Sequence, residues 1–317
     1  MENKKKIDLY FSKNRRKFEE HRQRCGYDNK ILIKEVTFNE ACQQLLSTVE
    51  IDKVFSVIGA GKEATVLLAQ ESNTKDLVCA KVFRYHTSTT RNRLHGTKHI
   101  TKIGMANIIA KQEYWNLVEM YNTNIPVPKP RYLLGNIVIM DFINFQDDVY
   151  QPAPLLSEVN IDFIDDPEEI LYESIEIIAS MFLEAKFIHG DYSNHNIMVT
   201  ENGLVTMDVA QSLKYNEKTY IDTPVRLRID KAVNILKTDL INLNNSFKKR
   251  FRIYIDPEEV CKEIVNDLPE KLQNFLSDSN RINPLSHYAP ESYKQKEKYR
   301  REHLARLTKR RYQKKKR

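Results

Sequence analysis

Five residues carry the groups that phosphoryl transfer needs, and they stand in a set order: Lys81, Glu113, Asp191, Asn196 and Asp208. The last three fall in or just after the stretch "HGDYSNHNIMV" (189–199). Moving a phosphoryl group takes one carboxylate to accept or orient a hydroxyl proton, and separate oxygen ligands to hold Mg2+. Asp191 suits the first role. Asn196, and Asp208 in "VTMDVAQ", suit the second. An Asp and an Asn five positions apart are common by chance, and the stretch alone also reads as a surface turn with a solvated aspartate. The weight lies in the ordered set.

Lys81 stands inside "VCAKVF", where an ammonium is costly to bury unless a partner or a phosphate compensates it. Glu113 has Ile109 and Leu117 four positions either side in "ANIIAKQEYWNLVEMY" (106–121), a predicted helix. It therefore sits beside the apolar stripe, where a lone carboxylate is expensive. Pairing the two would resolve both problems and place the ammonium at the α- and β-phosphates of a nucleotide. Two unrelated, snorkelling side chains are the plain alternative. Upstream, Gly59 and Gly61 in "GAGKEATV" lack a Cβ, so phosphates could come close to the backbone. The loop is not GxGxxG, because Ala64 takes the third place, nor a Walker A loop, because Ser56 and Glu63 stand where Gly and Ser or Thr are needed. On its own it is equally a hairpin turn. "NIVIMDFI" (136–143) reads as a buried strand running into a connection. Adenine would bond to backbone groups there near Asp141 and Ile143, with Met140 at the back.

Residues 54–83 alternate apolar and polar positions on both sides of the turn "ESNTKD", which predicts paired strands. The basic, weakly periodic stretch 84–105 is expected to be a loop. Pro126, Pro128 and Pro130 force an extended path. Residues 168–187 predict an amphipathic helix with Leu171, Ile175, Ile178, Phe182 and Leu183 on one face. "NIMVT" and "LVTMDV" flank "ENG", a tight turn between two strands. From about 226 the pattern is helical to the end. Strands first and helices later give an α+β, bilobal architecture with a cleft. Its bounds are a basic N-terminal extension (1–44), a small β-rich lobe (45–140), a mainly helical lobe (141–293) and a basic tail (294–317).

Composition narrows the class. At 317 residues and 41% hydrophobic, the chain can bury one large core or two smaller ones. No stretch approaches the ~20 apolar residues of a membrane helix. The charged start "MENKKKIDLYFSKNRRKF" has no apolar signal core. The expectation is a cytoplasmic protein with no membrane partner. Cys25, Cys42, Cys79 and Cys261 are scattered, which favours reduced thiols over a disulfide framework or zinc site. His95 and His99 are four apart, but with no carboxylate or Cys beside them they read as a loop pair. Of the net charge of +7, residues 294–317 supply +11 and residues 1–34 supply +6, so the middle carries −10. An acidic globule with basic ends suggests a polyanionic partner reached through the tail, against the alternative of a solvated appendage.

"GAGKEATV", "HGDYSNHN" and "MDVAQS" together resemble the RIO family of atypical serine/threonine protein kinases, over roughly residues 45–245. "GKEA" in the phosphate loop, His-Gly-Asp for His-Arg-Asp and Asp-x-x-Gln for Asp-Phe-Gly are that family's forms. The resemblance implies a bilobal protein-kinase-like fold with a reduced activation segment and peptide platform. It implies ATP held by Gly59, Gly61, Lys62, Lys81 and Glu113, with a hinge at Met140, Asp141 and Ile143. It implies a catalytic Asp191, and Asn196 and Asp208 as ligands of Mg2+ or of Mn2+ in its place. Asp208 counts as catalytic too, because some members pass phosphate transiently through the matching aspartate, as ATPases that gate ribosome assembly.

"YHTST" after the lysine strand resembles the type-one branch, and residues 1–44 are too short for the winged-helix domain that begins the type-two branch. Tyr192 and His195 depart from the commoner Leu and Tyr or Phe without removing a required group. No Ala-Pro-Glu stands between Asp208 and the next predicted helix. The expected function is an ATP- and Mg2+-dependent kinase or ATPase in small ribosomal subunit maturation, with a pre-ribosomal particle or RNA as partner. A kinase of related fold acting on a small molecule or in a tRNA-modification complex is a second reading, opposed by "GKEA" and "VAQ". A nucleotide-binding scaffold without turnover is a third, opposed by the complete acidic set. Oligomeric state is not legible.

Overall fold

The computed structural model describes residues 39–61, 63–84, 102–145, 148–160, 164–215, 225–274 and 276. After a helix over 39–46 (α1), the small lobe is built on five strands. They are β1 (Ile51–Ala60), β2 (Ala64–Glu71), β3 (Leu77–Phe83), β4 (Pro130–Leu134) and β5 (Ile137–Asp141). The sheet order is β1-β2-β3-β5-β4, antiparallel throughout. Period-2 alternation divides it into two faces. Val78, Ala80, Val82, Ile137 and Ile139 pack on one face under Ala41 and Leu45 of α1. Cys79, Phe83, Val138 and Met140 pack on the other with Ala106, Ile109 and Ala110 of α2 (Lys102–Asn122). Lys81, between Cys79 and Phe83, therefore points to the α2 side. The strand pattern alone aims it there.

The larger lobe begins with a short hairpin, β6 (Asn144–Phe145) and β7 (Asp148–Pro152). Helix α3 (Pro167–Leu183) starts where Asp166 accepts the N–H groups of Glu168 and Glu169, with Pro167 in the first turn. Two-residue strands β8 (Phe187–Ile188) and β11 (Leu213–Lys214) pair with each other. Between them lies the hairpin of β9 (Ile197–Thr200) and β10 (Gly203–Thr206), closed by Glu201 and Asn202 and followed by Gly203, whose φ of 119° suits glycine. Then come α4 (Val225–Phe251), α5 (Pro257–Asn266) and the short α6 (Glu270–Gln273). Ile229, Ala232, Val233, Leu236, Leu240, Leu243 and Phe247 make one buried stripe along α4. None of the described helices is long and apolar enough to cross a membrane.

Three expectations need adjustment. The segment expected to be a loop to residue 105 is already helical from Lys102, because packing of Ala106, Ile109 and Ala110 against the sheet carries α2 upstream of its visible periodicity. Its residues 85–101, with His95 and His99, lie outside the described set, as do Lys62, Cys25 and both basic ends. The helix expected over 168–187 stops at Leu183; Lys186 takes a left-handed φ of 61° and hands Phe187 to β8. The buried face of α3 is Leu171, Ser174, Ile177, Ile178, Met181 and Phe182, with Ile175 and Leu183 only flanking it. The proline-rich connection takes the extended path expected of it and leads into β4, where Pro130 is the first residue of an edge strand and a missing N–H is tolerated.

Candidate active site

Lys81 reaches two carboxylates across the cleft face. Its Nζ lies 2.8 Å from Glu113 Oε1 and 2.9 Å from Asp208 Oδ1. Burial works against the ammonium charge, but Glu113 and Asp208 more than offset it and hold the Lys81 pKa above its ordinary value. Glu113, 2% exposed, is pushed upward by burial and by the charge of Asp208, with Lys81 opposing. The pair expected from sequence is present, and Asp208 joins it from the other lobe.

Asp208 has a left-handed backbone, φ 56° and ψ 58°, which costs a non-glycine residue roughly 1 kcal/mol or more. Neighbouring bonds fix that turn. Met207 donates its N–H to the carbonyl of Asn196 at 2.8 Å and accepts at its own carbonyl from the His189 ring at 2.9 Å. Asn116 on α2 donates to the carbonyls of Val209 and Ser212, at 2.8 and 3.2 Å.

The loop carrying Asp191 hangs from α4. Buried Asp239 accepts the N–H groups of Gly190 and Tyr192, at 2.9 and 3.0 Å. Burial raises the Asp239 pKa, against the pull of those two donors. Gly190 is required here because its φ is 83°. Asp191 itself is exposed. Asn196 donates its amide to the Asp191 carbonyl at 2.8 Å, and its Nδ2 lies 3.4 Å from the Asp191 carboxylate. Asp239 and Asn116 do not stand out in the sequence reading, and His189 appears there only as part of His-Gly-Asp. Asp239 has a signal there, a carboxylate on the apolar stripe of α4 between Leu236 and Leu243, the same anomaly that marks Glu113.

The residues present fit Mg2+ and a nucleotide. No cluster of three His, Cys, Asp or Glu among the described residues could hold a metal alone. Two oxygen ligands, from Asn196 and Asp208, suit Mg2+, which keeps waters and takes further oxygens from phosphates. Gly59 and Gly61 are not demanded by the fold: a Cβ at 61 would meet only the Ala64 carbonyl at 3.8 Å, and one at 59 would make an ordinary 3.4 Å contact with Val66. A bare backbone at both positions leaves room for a phosphate to approach. At the hinge, Met140 is buried beside Cys79, its partner in the β3–β5 pairing. Asp141 ends β5, and the Ile143 carbonyl accepts from Ala153 at 2.9 Å.

Comparison with known proteins bears on the family and the fold. The RIO domain family pattern matches residues 53–260. Serine/threonine-protein kinase RIO1 of Caenorhabditis elegans is 28% identical over 245 residues, 70% of this chain and 45% of that protein. The human protein of the same name is 26% identical, over 73% of this chain and 40% of its own length. RIO-type serine/threonine-protein kinase Rio1 of Haloferax volcanii is 26% identical, over 74% and 78%. The chain thus spans less than half the length of the two animal relatives. These names fit the type-one branch. Among solved structures, the Rio2 kinase–ADP/Mg2+-phosphoaspartate complex from Chaetomium thermophilum superposes with a TM-score of 0.54 at 18% identity, over 84% of this chain and 75% of that one. That likeness establishes the protein-kinase-like fold.

Proposed function

The chain belongs to the RIO domain family, and from that premise we propose that it is an ATP- and Mg2+-dependent serine/threonine kinase with ATPase activity. The observation that carries the reading is Lys81 held between Glu113 and Asp208, with Asp191 and Asn196 on the adjoining loop. Lys81 would bind the α- and β-phosphates, and the backbone at Gly59 and Gly61, with Lys62, would cover them. Met140, Asp141 and Ile143 would hold the adenine. Asn196 and Asp208 would hold Mg2+, which neutralises charge that builds on the phosphate oxygens. Asp191 would accept the proton of the attacking hydroxyl or water. Asp208 would in addition accept a phosphoryl group on its carboxylate and lose it to water, a step suggested by the phosphoaspartate of the Rio2 kinase complex.

The proposed partner is a pre-ribosomal small subunit or its RNA, met by the +11 charge of residues 294–317, in the cytoplasm. ATP turnover measured with and without purified small ribosomal subunits tests this. The reading expects Mg2+-dependent release of phosphate, changed by the particle. Absence of both nucleotide binding and turnover overturns it.

A further inference from the structure

Arg131 stands at a break in the register of the β4–β5 pair. Pro130 faces Met140 and Tyr132 faces Ile139, so Arg131 is an extra residue, a bulge opposite the hinge. Bulges re-aim side chains, often beside active sites. Here the guanidinium is turned onto three carboxylates from three segments. Its Nε donates to Asp141 at 2.5 Å and its Nη1 to Asp76 at 2.9 Å, and Nη1 also donates to Glu71. Glu71, at the end of β2, is 2% exposed and also accepts from Tyr132 and Thr74. Asp76 lies in the β2–β3 turn, and Asp141 is the last residue of β5. The Asp141 side chain follows Ile137 and Ile139 in the alternation, so it faces away from the cleft on which Lys81 and Met140 lie. It meets Arg131 rather than a nucleotide. An ionic network of this size is weak evidence for stability, since apolar replacement is often neutral or stabilising.

We propose that Arg131 is a specificity-determining positioning residue: by gripping Asp141 from behind and anchoring it to Glu71 and Asp76, it fixes the hinge backbone in the register that tells adenine from guanine. This rests on the reading of Asp141 and Ile143 as the adenine site. Adenine offers a donor and an acceptor where guanine offers the reverse, so discrimination requires hinge carbonyl and N–H groups that cannot shift to suit either. A clamp on the neighbouring carboxylate, outside the cleft, supplies that rigidity without touching the base. The Asp141 N–H, bonded to the Lys129 carbonyl at 2.8 Å, holds the same residue from the segment leading into β4.

The test is the ratio of kcat/KM for ATP to that for GTP in wild type, Asp141→Ala, Arg131→Met, Arg131→Lys and Asp76→Asn. Asp141→Ala severs only the hinge arm and leaves Arg131 with Glu71 and Asp76, so it should fold. It and Arg131→Met should lower the ratio about tenfold, the worth of one net hydrogen bond, through KM rather than kcat. Arg131→Lys should recover part of it, because a point charge lacks the fork. Asp76→Asn should lower the ratio less than Asp141→Ala does, because Glu71 still anchors the guanidinium. Should Arg131→Met leave Glu71 uncompensated and unfold, Asp141→Ala decides alone. A wild type that favours ATP, with a ratio unmoved in Asp141→Ala, overturns the inference while leaving the adenine site standing. A wild type that does not distinguish the two nucleotides overturns the adenine reading, and this inference with it.

Discussion

Lys81 Nζ is 2.9 Å from Asp208 Oδ1, although 127 positions separate the two residues. One end of the pair is on the sheet of the small lobe and the other follows the β9–β10 hairpin of the large one. A cation placed between Asp208 and a bound phosphate would have to share that carboxylate with Lys81. Under the proposed function, phosphate would be held in two separable ways, one through the ammonium and one through a metal.

That separation predicts different metal dependence. Lys81→Ala should weaken ATP binding with or without Mg2+, because the ammonium acts directly on phosphate. Asn196→Ala and Asp208→Ala should weaken only the Mg2+-dependent part. Titrating ATP with and without Mg2+ checks this, and identical behaviour of all three variants would show that the roles are misassigned.

Gly61→Ala should separate binding from folding. The position is roomy and not left-handed, so alanine should leave stability unchanged or raise it by about 0.4–1 kcal/mol. The KM for ATP should rise, because the new methyl meets the phosphates. Thermal unfolding beside ATP kinetics measures both, and an unchanged KM would remove the phosphate role of the loop.

Asp239→Ala should act at a distance from the nucleotide. It orphans the N–H of buried Tyr192, which costs roughly 1–3 kcal/mol, and frees the N–H of exposed Gly190 at less cost. The loop that carries Asp191 should loosen, so kcat should fall while the Kd for ATP, bound mainly from the other side of the cleft, holds. A variant that lost ATP affinity but kept kcat would contradict this.

Removing residues 294–317 should leave ATP turnover nearly intact and weaken binding to RNA. The remaining chain is acidic, and the tail supplies 13 Lys and Arg. A tail that meets about five phosphates adds about −4 to the slope of log affinity against log salt. Equal slopes for full-length and truncated chains would make the tail a passive appendage.

The sequence reveals this site where a residue violates its own surroundings. Lys81 in an apolar strand and Glu113 on an apolar stripe are visible because their burial without partners would be expensive, and they prove to be each other's partner. Asp191, Asn196 and Asp208 are visible through order and spacing. Asp239 breaks the stripe of α4 in the same way as Glu113, but its partners are backbone N–H groups, which leave no trace in a sequence. Arg131 is hidden for another reason. Its role depends on a bulge, and a one-residue slip of register between β4 and β5 is decided by tertiary packing rather than local pattern. The ends of α2 and α3 depart from the periodicity because sheet packing lengthens one and a left-handed Lys186 cuts the other.

The account stands most directly on Asp191. Mg2+-dependent ATP turnover and equilibrium ATP binding should be measured on wild type and on Asp191→Asn, which keeps the side-chain shape and removes only the base. Removal of a general base costs roughly 10²–10⁴-fold, so turnover should fall by that order while ATP affinity stays within about twofold. Wild-type turnover in a correctly folded Asp191→Asn would contradict the assignment of this loop as the site of proton transfer.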